Sequence, residues 1–279
     1  MMRRSLVATV GALALLAAGG GTAAVATGGA TAGAGVAAAV SMIHPPLIVS
    51  GVRNGGLRHG SLLSTNWSGY AAQSASTFTD AVGSWVQPTA TCAPGSTTYS
   101  SFWVGIDGYS SDSVEQLGTD SDCVRGKPSY YAWWEMYPAG SSVLTGYPVN
   151  AGDTLTAEVA RSGSSYKLSL KSSEGWTLSL NESGTDANSS AEWVAEAPEI
   201  CTNFGFFSFC RLANLTNFGT INFTGAEAAA GGNDAPASTF TTNGGPQEIT
   251  MVTNSDVVKA QPSPLSASGT GFSVTWMHS

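Results

Sequence analysis

Thr154-Leu155-Thr156-Ala157-Glu158-Val159, then Tyr166-Lys167-Leu168-Ser169-Leu170-Lys171, then Trp176-Thr177-Leu178-Ser179-Leu180, alternate apolar and polar side chains. A period of two belongs to a strand with one face buried, so the stretch reads as three half-buried strands. Arg161-Ser162-Gly163-Ser164 and Ser172-Ser173-Glu174-Gly175 between them carry turn chemistry, which makes the trio an antiparallel meander. Working outward, further strand-like runs lie at 78–87, 101–107, 113–118, 130–137, 191–196, 220–224, 248–252 and 271–276. Few stretches sustain a helical period, so the fold class is all-β, a β-sandwich or barrel. Residues 63–279 form one domain on this reading, with the Gly-broken stretch 226–237 expected to loop out at the surface.

The chain ahead of that body is different. Met1-Met2-Arg3-Arg4, an apolar run from Ser5 to Ala18 and the small-residue site Ala24-Val25-Ala26 read as a secretory signal over residues 1–26, so the mature protein is expected outside the cell. Residues 27–62 are Ala/Gly-rich, then carry His44-Pro45-Pro46, and read as a low-complexity linker or pro-segment. No later segment is apolar enough to cross a bilayer.

Of 279 residues, 11 are Lys or Arg and 19 are Asp or Glu. All the acids follow residue 79, and a chain starting near Ser61 would carry about −12, which disfavours nucleic acid and anionic membranes as partners. A monomer is the expected state. The three histidines, His44, His59 and His278, lie in the N-terminal region or beside the C-terminus. A Ser-His-Asp or Cys-His triad and a catalytic zinc both need placed imidazoles, so the acid–base work is expected to fall to carboxylates, with no cofactor. No metal site is expected either, since Asp120-Ser121-Asp122 is too short a cluster for calcium. The four cysteines suit two disulfides, with three connectivities open; Cys92–Cys123 and Cys201–Cys210 are favoured, the second closing a short loop-like insertion over 202–209.

Alternation also places chemistry. On 130–137, Tyr131, Trp133, Glu135 and Tyr137 share one face, so Glu135 lies among large rings that desolvate it. Gln116 points opposite to Glu115, while Glu192 and Glu196 point the same way. Such faces, lining the concave side of a bent sheet, make a groove for an extended polymer.

Four strings in order carry a resemblance: Trp103-Val104-Gly105-Ile106-Asp107-Gly108, then Gln116, then Ala132-Trp133-Trp134-Glu135, then Ala191-Glu192-Trp193-Val194-Ala195-Glu196. With Asn66-Trp67-Ser68-Gly69 at the start, the chain from about Thr65 resembles the glutamic peptidases, or eqolisins. The resemblance implies a sandwich of two bent antiparallel sheets of the concanavalin A-like or jelly-roll type, and a secreted acid endopeptidase insensitive to pepstatin. Its catalytic pair would be Glu196 and Gln116. Trp67, Trp103, Asp107, Glu135, Trp133 and Tyr137 would line or support the cleft, Glu135 as a supporting or substrate-contacting group. Met136 stands where fungal members usually carry Trp, which bears on subsite preference. Two rivals share the groove: a glycosidase using two of Glu115, Glu135 and Glu196, and a lectin-like module with no chemistry.

Overall fold

The computed structural model describes residues 39–51, 57–58, 60–204, 207–240 and 245–279. The export signal, residues 27–38 of the expected linker and His59 lie outside the described residues. Among the described residues the chain forms strands β1 to β20 and one short 3-10 turn, Ala237–Thr239.

Two bent sheets face each other. The first runs, by hydrogen-bonded neighbours, β9 (Ser142–Val143), β8 (Lys127–Tyr137), β7 (Val114–Val124), β6 (Ser101–Ile106), β13 (Ser190–Glu196), β4 (Trp67–Gln73) and β18 (Gln247–Val252). Alongside β18 lies β3 (Ser61–Ser64) in parallel pairing, itself paired with β2 (Leu57–Arg58). The second sheet runs β12 (Thr177–Ser183), β11 (Ser165–Ser172), β10 (Thr154–Ser162), β5 (Phe78–Val86), β16 (Thr220–Ala230) and β20 (Phe272–Trp276), with β17 (Asn233–Pro236) on β16. β19 (Val258–Pro262) pairs with both β18 and β20 and joins the layers along one edge.

The meander shows why these residues choose strands. Val159 lies opposite Leu168, and Leu168 opposite Leu180; Leu155, Ala157, Val159, Tyr166, Leu168 and Leu170 are all buried. Gly163, at φ 63°, starts the two-residue turn between the paired Ser162 and Ser165, a conformation other residues adopt at a cost. Against this face pack Phe102, Val104 and Ile106 of β6, Leu117 of β7 and Trp193 of β13. The Trp193 indole N–H donates to the Val82 carbonyl at 2.7 Å, so this large buried ring leaves no polar atom orphaned.

Three expectations change. Residues 226–237 do not loop out: β16 continues to Ala230, and Ala226, Ala228 and Ala230 are buried on the core face. Four alanines among residues 226–230 hide the alternation, because inward and outward positions carry the same side chain except at Glu227. The insertion between Cys201 and Cys210 is a hairpin, β14 (Glu199–Phe204) and β15 (Phe207–Leu212), with the two cysteines directly opposite in register and bonded. Cys92–Cys123 is the other disulfide. Finally, the described part of the expected linker is packed: β1 (Ala39–Ile43) adds to the edge of β14, and residues 44–50 continue along the first sheet. Among the described residues no helix is long and apolar enough to cross a membrane.

Candidate active site

The first sheet has two unlike faces. On β13, Ala191, Trp193 and Ala195 enter the core, which turns Glu192, Val194 and Glu196 to the other side. Register then gathers the rest: Glu196 lies opposite Ser101 on one side and Trp67 on the other, Trp103 opposite Gly118, Gly118 opposite Trp133, and Gln116 opposite Glu135. Gly118 is required by close approach, since a Cβ there would stand 2.2 Å from the Phe102 carbonyl oxygen and 2.7 Å from the Trp103 Cβ. Sequence-distant Glu196, Gln116, Glu135, Trp67, Trp103 and Trp133 thus form one patch, and all are buried.

Glu196 receives the Trp103 indole N–H on Oε2 at 2.7 Å, while Oε1 has no partner among the described residues. Burial pushes its carboxyl well above the usual range; the Trp103 N–H opposes this, and neighbouring Glu135 and Asp120 add to it. Gln116 donates from Nε2 to the His44 carbonyl at 2.8 Å and leaves Oε1 without a partner among the described residues. Glu135 accepts the His44 backbone N–H on Oε2 at 2.9 Å, and its own Oε1 has no partner among the described residues. Burial raises the Glu135 carboxyl to about 9, against the His44 N–H that lowers it. Three polar side chains with spare acceptor atoms therefore converge on a stretch of extended peptide.

That stretch corrects the expectation that the histidines stand apart from the folded body. His44 is buried, stacked on the Trp133 ring at 3.5 Å between centroids and 1° between planes. Its Nδ1 lies 2.8 Å from Glu135 Oε2 and its Nε2 3.1 Å from Ser101 Oγ. Burial lowers the imidazole to about 4, opposed by the Asp120 charge. The physical reason for the miss is that His44-Pro45-Pro46 has no periodicity and draws its environment from residues 20 to 91 positions away in sequence.

Several supporting residues escaped the sequence reading. Asp120 takes the Trp133 indole N–H on Oδ1 at 2.6 Å and the Tyr131 hydroxyl on Oδ2 at 2.9 Å; Asp122 takes the same hydroxyl at 2.8 Å. Burial raises both carboxyls, and their shared work is to fix the aromatic wall. The signal was available, because Gln116, Gly118, Asp120 and Asp122 recur at a period of two. Asn66 and the Trp67 indole donate to carbonyls of Pro45 and Pro46. Asp107 does other work: its oxygens accept from the Asn188 and Ser189 backbone N–H groups and from the Ser111 and Ser189 hydroxyls, tying two loops at the far end of the patch. Tyr137 packs half-buried beside Val114. Glu115 points away from Gln116, where burial together with Asp107 and Asp186 raises it to about 10, so it is not part of a carboxylate pair in the cleft.

Comparison with known proteins decides the family. The model of the Peptidase A4 family matches residues 65–267. The chain belongs to the Peptidase A4 family. These are the glutamic peptidases, or eqolisins, as the motif order implied. Aspergillopepsin-2 of Aspergillus niger is 30% identical over 164 residues, 56% of this chain and 55% of that protein; scytalidopepsin B of Scytalidium lignicola is 28% identical over 146 residues, 50% of this chain and 54% of that protein. The chain thus spans about half the length of the curated relatives it matches. A crystal structure of scytalido-glutamic peptidase with a peptide-based transition state analog superposes with a TM-score of 0.65 at 23% identity, covering 76% of this chain and 98% of that one. The Peptidase A4 fold, two bent antiparallel sheets, is therefore the fold of this chain.

Proposed function

We propose that this member of the Peptidase A4 family is an exported acid endopeptidase that hydrolyses polypeptides without a cofactor, with Glu196 as general base and acid and Gln116 as oxyanion donor. The observation that carries the reading is the Gln116 Nε2 on a peptide carbonyl at 2.8 Å, in the same buried patch as the half-satisfied Glu196. A water bound between Glu196 Oε1 and Gln116 Oε1 would have acceptors for both its protons. Glu196 takes one as the water oxygen bonds to the carbonyl carbon, and the Gln116 N–H strengthens its hold as charge grows on the carbonyl oxygen. The proton then passes to the leaving nitrogen as the C–N bond breaks.

Carboxylate chemistry fits acid conditions. A Glu ionises at roughly 4.3 in water, and a base is most useful near its own pKa. With peptide filling the cleft, burial holds Glu196 protonated; water entering an open cleft returns it toward that range. Gln116 stays neutral throughout, so the oxyanion donor does not titrate away. Glu135 contributes by accepting a substrate backbone N–H, as it accepts that of His44. The two disulfides suit an extracellular setting. The test is casein hydrolysis from pH 2 to 8 with pepstatin present, comparing wild type with Glu196→Gln and Gln116→Ala of confirmed fold. Acid activity lost in both supports the assignment; activity that survives Glu196→Gln overturns it.

A further inference from the structure

Lys127, Lys167 and Lys171 lie exposed on their strands, whereas Lys259 on β19 is only 7% exposed. Among the described residues its ammonium has no ion pair and no hydrogen bond, and burial alone lowers it to about 8. Its place comes from a bulge. Met251 of β18 lies opposite Ala260 and Val252 opposite Val258, so Lys259 is the extra residue between them. Bulges re-aim a side chain, and they recur beside sites. The Lys259 carbonyl is held from the other side by the Met277 and His278 N–H groups at 2.8 and 3.0 Å, which fixes the backbone that carries the amine. An ammonium taken out of water without a partner is costly, and none of the chain's 19 acids pairs with it among the described residues.

Lys259 lines a pocket of about 200 Å³ where the turn between β18 and β19 meets the chain leaving β15 and the residue ahead of β4. The ammonium is not one of the sealed, unpartnered polar atoms of the interior, so it is reached from this pocket. Two hydroxyls join it. Thr253 Oγ1 accepts the Ser255 and Val257 N–H groups at 3.2 and 3.1 Å, which leaves its own hydrogen to donate. Thr65 is 7% exposed, and its hydroxyl has no partner among the described residues. Leu212, Ala213 and Val252 supply the apolar part of the wall; Ser279 borders the pocket too, without pairing with Lys259. None of these residues belongs to the Glu196 and Gln116 patch.

We propose that this pocket binds a small organic monocarboxylate, its carboxylate held by the Lys259 ammonium and the Thr65 and Thr253 hydroxyls and its short apolar body lying against Leu212, Ala213 and Val252. Three properties set that class. An ammonium and two hydroxyl hydrogens are donors, and an ionised carboxylate is purely an acceptor. One positive charge matches one negative charge; a doubly charged sulfate or phosphate would add an uncompensated charge to a partly desolvated site in a chain of formal charge −8. The pocket is smaller than the roughly 300 Å³ at which sites for drug-sized ligands begin, so it admits a body of a few carbons and not a polymer. A bound carboxylate also ties the bulge of β19 to Thr65 and to the turn at Thr253, so occupancy stabilises the folded chain.

Two experiments on the full-length Glu196→Gln chain test this, with sodium isobutyrate, sodium sulfate and sodium chloride as probes at matched ionic strength. At pH 6, saturating isobutyrate should raise the melting temperature by about 5 °C over chloride, and adding Lys259→Met should abolish that rise, because methionine keeps the stem and removes the charge. The second experiment needs no change at Lys259. A neutral activated ester at pH 8 acylates free amines, and isobutyrate at tenfold its dissociation constant should slow labelling of Lys259 roughly tenfold, while Lys127, Lys167 and Lys171, read by mass spectrometry in the same digest, label at unchanged rates. Equal melting shifts with and without Lys259 overturn the site, as does Lys259 labelling that ignores isobutyrate. A Lys259-dependent shift from sulfate as large as that from isobutyrate overturns the monocarboxylate and makes the ligand a tetrahedral oxyanion. If the Lys259→Met chain does not fold, the labelling experiment decides alone. Neither readout uses hydrolysis, so the result stands whether or not the peptidase reading does.

Discussion

The two faces of β13 lie a single residue apart and obey different rules. On one, Trp193 is enclosed by apolar neighbours and its only polar atom is satisfied; on the other, Glu196 is equally buried but keeps an oxygen with no partner among the described residues. Buried polar atoms are normally paired, because an orphan costs about 1–3 kcal/mol. Among the described residues, orphans on Gln116, Glu135, Glu192 and Glu196 gather on the face where stability has been given up for chemistry, whereas the opposite face carries the fold, although Glu115 Oε2 is unpartnered there too.

Substitutions on the two faces should therefore separate activity from stability. Glu196→Gln is expected to cost roughly a thousandfold or more in acid casein hydrolysis, with a melting temperature unchanged or slightly raised because the buried carboxyl is already neutral. Trp193→Ala should do the reverse: about 3–5 kcal/mol lost in urea unfolding, with activity per folded molecule retained at a permissive temperature. Equal loss of activity from both changes would dissolve the contrast. Gln116→Ala should lower kcat on a peptide substrate by roughly a hundredfold to a thousandfold, and a mutant affected only in KM would make Gln116 a binding group.

The contrast extends to pH. Burial raises Glu135 to about 9 and Glu115 to about 10, and raises Asp80 to about 7 with help from Glu158 and Asp234. The folded chain keeps protons that the unfolded chain releases above the ordinary carboxylate range, so stability is full below about pH 4 and is lost as pH climbs through 7 and on toward 10. Melting scans of the Glu196→Gln chain should show a midpoint that falls between pH 4 and pH 8. A midpoint that rises over that interval would mean these carboxyls are ionised and compensated in the folded state. Smallest of all, Glu115→Gln should flatten part of this slope without changing acid hydrolysis, since Glu115 faces away from Gln116.

What could be read ahead of the structure follows the same division. The meander 154–180 and the faces of 130–137 were legible because alternation is a local property, and the order of the Trp103, Gln116, Glu135 and Glu196 strings carried the family. Strand pairing is not local. That Gln116 lies directly opposite Glu135, or Glu196 beside Ser101, depends on register between strands up to 95 residues apart, which no single segment encodes. His44 was missed for the strongest form of this reason: its strand-less segment gains its whole environment from other elements.

The position of β4 has a bearing on when the protein becomes complete. This early strand lies between β13 and β18, so the sheet around Trp67 cannot close until residues 190–196 and 247–249 are both present. Pairings of such long sequence separation form slowly, since a large loop must be ordered before they contribute. A growing chain shorter than about 250 residues therefore has Gln116 and the Trp103 wall but an unfinished groove. Assembly order alone keeps the cleft from existing until residues 247–249 have been made.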